Sequence, residues 1–228
     1  MAILELKIQG LSKSFGSQVA LQDVTLDLVP GSVALIGPNG SGKTTLLRCL
    51  ASLLKPDNGE IWFNGLPYAQ NFYCLRGQLG YLPQELALPP SLTPRRLLEY
   101  LGTLKNIPDA SQVDHLLSAL GLKSVADRSF GRLSGGQIRL TGIAQAFLGQ
   151  PSLLLLDELT RGLDVEEREH VFALARKPLP GRLILFSTHD LSDVERLADH
   201  AIVLRQGQVI FSGKWTIYSG KLQINIHR

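Results

Sequence analysis

The sequence predicts an α/β fold with a mainly parallel core sheet and an inserted helical subdomain. Three observations carry that expectation. Continuous apolar runs at 33–36, 153–156 and 183–186 suit strands buried on both faces. A glycine-rich loop joins the first of these runs to a segment of helical periodicity. Residues 85–150 change character, replacing strand patterns with helix starts and leucines at helical spacing.

Taken in order, residues 4–8 and 24–29 read as β-rich runs separated by polar turns around Gly16. The run 33–36 ends at Gly37. Beyond the loop, Leu46, Leu47, Leu50, Leu53 and Leu54 recur at helical spacing until Lys55-Pro56 stops them. Residues 59–64 predict a further strand, with Asn64-Gly65 as its turn. Thr93-Pro94 is a helix start, Thr as N-cap and Pro in the first helical position, with Leu97, Leu98, Leu101 and Leu104 as the apolar face. Ser111 with Asp114 opens a second helix carrying Val113, Leu116, Leu117 and Leu120, and Gly121 closes it. After the strand 153–156, Asp164 and Glu167 stand in capping-box spacing. The strand 183–186 is followed by a short helix with Leu191, Val194 and Leu197 on one face. Residues 201–204 and 209–211, joined through Gly207, predict a closing hairpin. The expected organisation is one domain over 1–228, with a core from 1–84 and 151–228 and a helical subdomain at 85–150. The tail after Trp215 carries no readable signal.

Composition narrows the classes. The 228 residues suffice to bury a sizeable core, and 44% hydrophobic with 19% charged is ordinary for a globular chain. The net charge is +3, with bases and acids interleaved, so no nucleic-acid stripe is expected. Cys49 and Cys74 lack CxxC spacing and read as buried free thiols of a reducing compartment. Glu5 and Lys7 interrupt what a signal peptide would need, and no apolar run approaches a bilayer's thickness. A soluble chain is expected, any membrane passage belonging to another.

The chemistry resides in three motifs. Gly37-Pro38-Asn39-Gly40-Ser41-Gly42-Lys43-Thr44-Thr45 fits GxxxxGK[ST] between a strand and a helix, the context that the phosphate loop requires. Its glycines let N–H groups curl around phosphate oxygens at a helix N-terminus. Lys43 would neutralise β and γ phosphates, and the Thr44 hydroxyl would take a place on Mg²⁺. A plain glycine turn would explain the glycines, but not the Lys-Thr ending. Asp157-Glu158, at the end of an apolar strand, would supply a metal-shell carboxylate and a general base respectively. Adjacent acids at a strand end are often only solvated, and it is the preceding phosphate loop that favours the functional reading. Leu133-Ser134-Gly135-Gly136-Gln137 reads as a helix start whose Ser is the N-cap and whose first-turn N–H groups are open to an anion.

With a phosphate loop upstream and that strand downstream, the pentapeptide resembles the signature of ABC-transporter ATPases, and the resemblance covers residues 4–213. It implies an ABC-type P-loop NTPase fold with an N-terminal antiparallel β subdomain, binding and hydrolysis of ATP with Mg²⁺, and a head-to-tail dimer. In that dimer each ATP would lie between one chain's phosphate loop and the other's Ser134-Gly135-Gly136. It further implies that Phe15 stacks on adenine, that Gln84 touches Mg²⁺ and the attacking water, and that His189 contacts the γ phosphate. Each has a plainer reading: a core Phe, a loop Gln, a structural His. Gly162-Leu163-Asp164 resembles the family's D-loop. Leu159 and Arg161 depart from the usual Pro and small residue, and Leu140 and Gln145 occupy positions commonly held by Arg.

The leading expectation is a transporter motor, a homodimer on the cytoplasmic face of a membrane, working through a separate membrane-spanning subunit. Leu82-Pro83-Gln84-Glu85 followed by Leu92-Thr93-Pro94 looks more like export-type cassettes than nutrient importers. Two other readings are a non-transport ABC ATPase and a nucleotide sensor without catalysis. No appended coiled coil or second cassette supports the first, and the presence of Lys43, Gln84, Glu158 and His189 speaks against the second.

Overall fold

The computed structural model describes residues 4–107 and 109–215, and side chains throughout these except at 69 and 71–74. Two sheets organise the chain. A four-stranded antiparallel sheet contains β1 (Leu6–Phe15), β2 (Gln18–Leu28), β4 (Asn58–Phe63) and β5 (Leu66–Pro67), in the order β2-β1-β4-β5. The six-stranded sheet has the order β10-β9-β3-β8-β7-β6. Its members are β3 (Gly31–Ile36), β6 (Leu79–Leu82), β7 (Leu153–Leu156), β8 (Leu183–Ser187), β9 (His200–Arg205) and β10 (Gln208–Lys214). All of its pairings are parallel except the closing β9–β10 hairpin.

The continuous apolar runs are explained by what lies on each face. Leu153 and Leu155 of β7, with Leu183 and Leu185 of β8, join the core shared with the antiparallel sheet and α1 (Lys43–Leu50). Leu154, Leu156, Ile184 and Phe186 point the other way, into a core shared with the helices. These helices are α3 (Pro94–Leu104), α4 (Ser111–Ala119), α5 (Gly135–Phe147), α6 (Val165–Ala175) and α7 (Leu191–Leu197). Period-two alternation thus splits each strand between two apolar layers, leaving no polar face to interrupt the run.

Four local readings differ, among them the strand read as 24–29, which starts at Gln18 as β2. The strand read as 4–8 continues to Phe15 as β1, because a register shift between Ile8 and Leu11 hides the alternation. The helix after the glycine loop ends at Leu50, short of Leu54. Ser52 takes a left-handed φ of 56°, and the Leu53 and Ser52 N–H groups donate back to the Arg48 and Cys49 carbonyls. This is a Schellman cap built on serine instead of glycine, and it leaves Leu53 exposed. A helix not anticipated, α2 (Tyr68–Gln78), precedes β6. The Asn64-Gly65 turn is as read, with φ of 52° and 75°. Cys49 is buried, which pushes its thiol up to about 11 and makes it a poor nucleophile. The Cys74 side chain and the tail after Trp215 lie outside the described residues.

β6 and α5 meet at Gly80. A Cβ there would lie 1.9 Å from the Ala146 carbonyl oxygen and 2.7 Å from Leu154 Cδ2. Gly80→Ala is therefore expected to lower the unfolding free energy by about 3 kcal/mol through overpacking. Gly102→Ala, with nothing within 4 Å, is expected to be neutral or stabilising by up to about 1 kcal/mol from helix propensity. Urea midpoints at unchanged m value check both.

Candidate functional site

Because β3, β8, β7 and β6 are parallel neighbours, the loops at their C-terminal ends converge on one edge of the sheet. There a cleft of roughly 710 Å³ is lined by Phe15, the whole stretch from Gly37 to Thr45, Gln84, Glu158, Arg161 and His189. Residues from five separated segments, read one by one along the chain, thus face one volume.

The glycine loop leads directly into α1. Gly42 is its N-cap, with φ 106° and no side-chain cap, and the first turn holds no acid. The N–H groups at that helix start are left for an anion. Gly42 also lies where a Cβ would come 2.5 Å from the Ala20 carbonyl oxygen, so strand β2 presses on the loop from behind. Lys43 Nζ donates to the Gly37 and Pro38 carbonyls at 2.7 and 3.0 Å. Burial lowers its pKa, opposed by the nearby Glu158 and Asp157 carboxylates.

Just past the end of β7, the Asp157 side chain is fully buried. Its Oδ1 accepts from Ser187 Oγ at 2.7 Å, while Oδ2 has no hydrogen-bond partner. Glu158 adopts a left-handed φ of 51°, a strained conformation for a non-glycine residue. Its N–H donates to Ser187 Oγ at 2.7 Å, and its carboxylate meets Arg161 Nη1 at 3.0 Å. Arg161, one of the departures, thus pairs with the acid that the motif singles out. Leu159, another, is wholly buried, and its N–H donates to the Ser187 carbonyl at 3.2 Å, a bond that proline could not make. Leu140 is buried in the helical core, and Gln145 is half-buried.

Phe15 is 51% exposed at the cleft, not in the core, with Lys13 Nζ 5.7 Å from its ring centre. Gln84 is half-buried and His189 exposed. Ser134, Gly135, Gly136 and Gln137 do not line this cleft. They form the start of α5, where a full capping box operates: Ser134 Oγ accepts from the Gln137 N–H, and Gln137 Oε1 accepts from the Ser134 N–H, each at 3.1 Å. Acting as an acceptor leaves the serine hydroxyl proton free to donate outward. Asp164 and Glu167 form the expected second box at α6.

Several site residues escaped the sequence reading. Ser187 bridges Asp157 and Glu158. Asp193, fully buried, accepts from Thr160 and Thr188 hydroxyls and so ties the loop after β7 to that after β8. Arg139 of α5 is 6% exposed and donates to four carbonyls at the ends of β6 and β7. A lone Arg on a helix reads as solvent-facing, and no motif marks this one as buried.

A phosphate-loop nucleotide site with a second, separate helix start of signature type defines a class of ATP-driven cassettes. Residues 21–161 match the ABC transporter family. The Nod factor export ATP-binding protein I of Cupriavidus metallidurans is 35% identical over 214 residues, covering 92% of this chain and 71% of that protein. The sulfate/thiosulfate import ATP-binding protein CysA of Synechocystis is 37% identical over 209 residues, 89% of this chain and 58% of that one. Among solved structures, the dimeric bacterial ABC transporter cassette MJ0796 superposes with a TM-score of 0.85 at 25% identity, over 93% of this chain and 100% of that one. The chain belongs to the ABC transporter family and is an ATP-binding subunit with ATPase activity. Among the described residues, no helix is long and apolar enough to cross a membrane.

Proposed function

We propose that two copies of this chain close head to tail around two ATP molecules and hydrolyse them to drive a substrate outward through a separate membrane-spanning subunit. The observation that supports this most is the division of the phosphate-binding features. Lys43, Gln84, Glu158 and His189 share one cleft, while the capped helix start at Ser134-Gly135-Gly136 does not line it. A second copy gives that helix start a nucleotide to hold.

In this reading the loop N–H groups and Lys43 seat the triphosphate, and Phe15 stacks on the adenine. Glu158 takes the proton of the attacking water, and Gln84 and His189 orient the water and the γ phosphate. The donor set suits a hard cation held mainly by phosphates: the Thr44 hydroxyl, Gln84, and Asp157 with one unpartnered buried oxygen. Bound there, Mg²⁺ would offset charge on the phosphate oxygens. Residues 85–150 would act as a helical subdomain that carries closure to the membrane partner. The export direction rests on the sequence around Gln84 and Thr93, since the relatives include both an exporter and an importer.

Phe15→Ala is expected to weaken ATP binding about tenfold, by loss of one base stack. Titration with ATP checks this, and unchanged affinity would place the adenine elsewhere. The wider reading is tested by tagging the chain in its native cell and isolating it from membranes in mild detergent. Recovery with a polytopic membrane protein supports it. Recovery only with ribosomal, DNA-repair or cluster-assembly factors would assign the chain to non-transport ABC ATPases.

A further inference from the structure

Arg139 makes an arrangement that the motifs do not account for. It is the fifth residue of α5, whose N-terminus carries Ser134-Gly135-Gly136. Its guanidinium lies under the catalytic cleft. Nη1 donates to the Pro83 and Gln84 carbonyls at 2.7 and 3.0 Å. Nη2 donates to the Asp157 carbonyl and, at 2.6 Å, to the Glu158 carbonyl. Burial lowers its pKa to about 10, against the raising influence of Asp157 and Glu158, so the group remains a cation at neutral pH. A planar fork suits this task, because four acceptors on two loops are reached from one rigid plane.

The four acceptors are not equivalent to ordinary strand ends. Two belong to the segment carrying Gln84, and two to the segment carrying Glu158. The Glu158 peptide is the one held at a φ of 51°. It is pinned from both sides, its N–H by Ser187 Oγ and its carbonyl by Arg139. Strain of this kind persists only where the surroundings over-determine it. Arg139 therefore connects the helix that begins at the signature with the two loops bearing the groups assigned to the water and the proton.

We propose that Arg139 is a positioning residue that couples the signature helix to the catalytic groups of its own cleft. A shift of α5, when its N-terminus engages the partner's nucleotide, moves Gln84 and Glu158 together into working geometry. The coupling between two sites rests on the head-to-tail reading above. The positioning of Glu158 and Gln84 within one chain does not.

The test uses the full chain with Arg139→Lys and Arg139→Gln. Steady-state hydrolysis is measured across ATP concentrations, and equilibrium binding with a fluorescent ATP analogue. Association with ATP is followed by light scattering in a Glu158→Gln background. Displacing the catalytic groups by about an ångström is expected to lower kcat about 100-fold in the Gln variant and about tenfold in the Lys variant. KM and analogue affinity should stay within about twofold, because the phosphate loop is untouched. Wild-type kcat in both variants would overturn the proposal. So would kcat and analogue affinity falling in step with thermal stability, the mark of a cation that only holds the fold. If the Gln variant does not fold, the Lys variant, which keeps the charge, decides by the same split. Failure of Glu158→Gln itself to associate with ATP would refute the head-to-tail reading, while the kcat effect within one chain would still be read.

Discussion

Glu158→Gln is expected to lower ATP turnover by about 10³-fold while ATP still binds and holds two copies together. The substitution changes little but the ability to accept a proton. The backbone hydrogen bonds that fix the residue, to Ser187 Oγ and from Arg139, do not involve its side chain. The amide oxygen can still accept from Arg161 Nη1, which meets the carboxylate at 3.0 Å. The phosphate loop and Lys43 are untouched, so nucleotide affinity should survive and the closed pair should accumulate in place of turning over. Phosphate release measured beside size-exclusion with ATP reads both parts. Full turnover by the variant would remove Glu158 from the role of base.

Lys43→Ala should fail earlier, at binding. In this structure the ammonium is held by the Gly37 and Pro38 carbonyls, at the mouth of a loop whose helix start lacks any side-chain cap. A triphosphate would exchange those neutral acceptors for charged oxygens, a gain of roughly 3 kcal/mol for charge-assisted bonds. Alanine forfeits that gain, and affinity for ATP should fall about 100-fold. Calorimetric titration of the folded variant measures it, and tight binding retained would contradict the phosphate-loop assignment.

Much of this site could be read in the sequence because the chemistry forces residue type and spacing together. A loop that wraps phosphate needs its glycines, and a parallel sheet buried on both faces needs runs such as Leu153–Leu156. What could not be read are features in which a residue acts through an atom or a place that its type does not announce. Ser52 caps α1 in a conformation usually marked by glycine. β1 continues past a bulge that breaks its alternation. Ser187 works through contacts made only when β7 and β8 lie side by side. Arg139 is the clearest case, a charge that folding turns inward because four carbonyls converge there. Arg161 stood out as a departure, but its pairing with Glu158 required the turn after β7 to be seen.

The account's central claim is tested most directly by ATP hydrolysis in the complex isolated from membranes through this chain, compared with the same complex carrying Glu158→Gln. The prediction is Mg²⁺-dependent phosphate release that is cooperative in ATP and falls to background in the variant. Equal release from both complexes, or none above background from either with ATP bound, would contradict it.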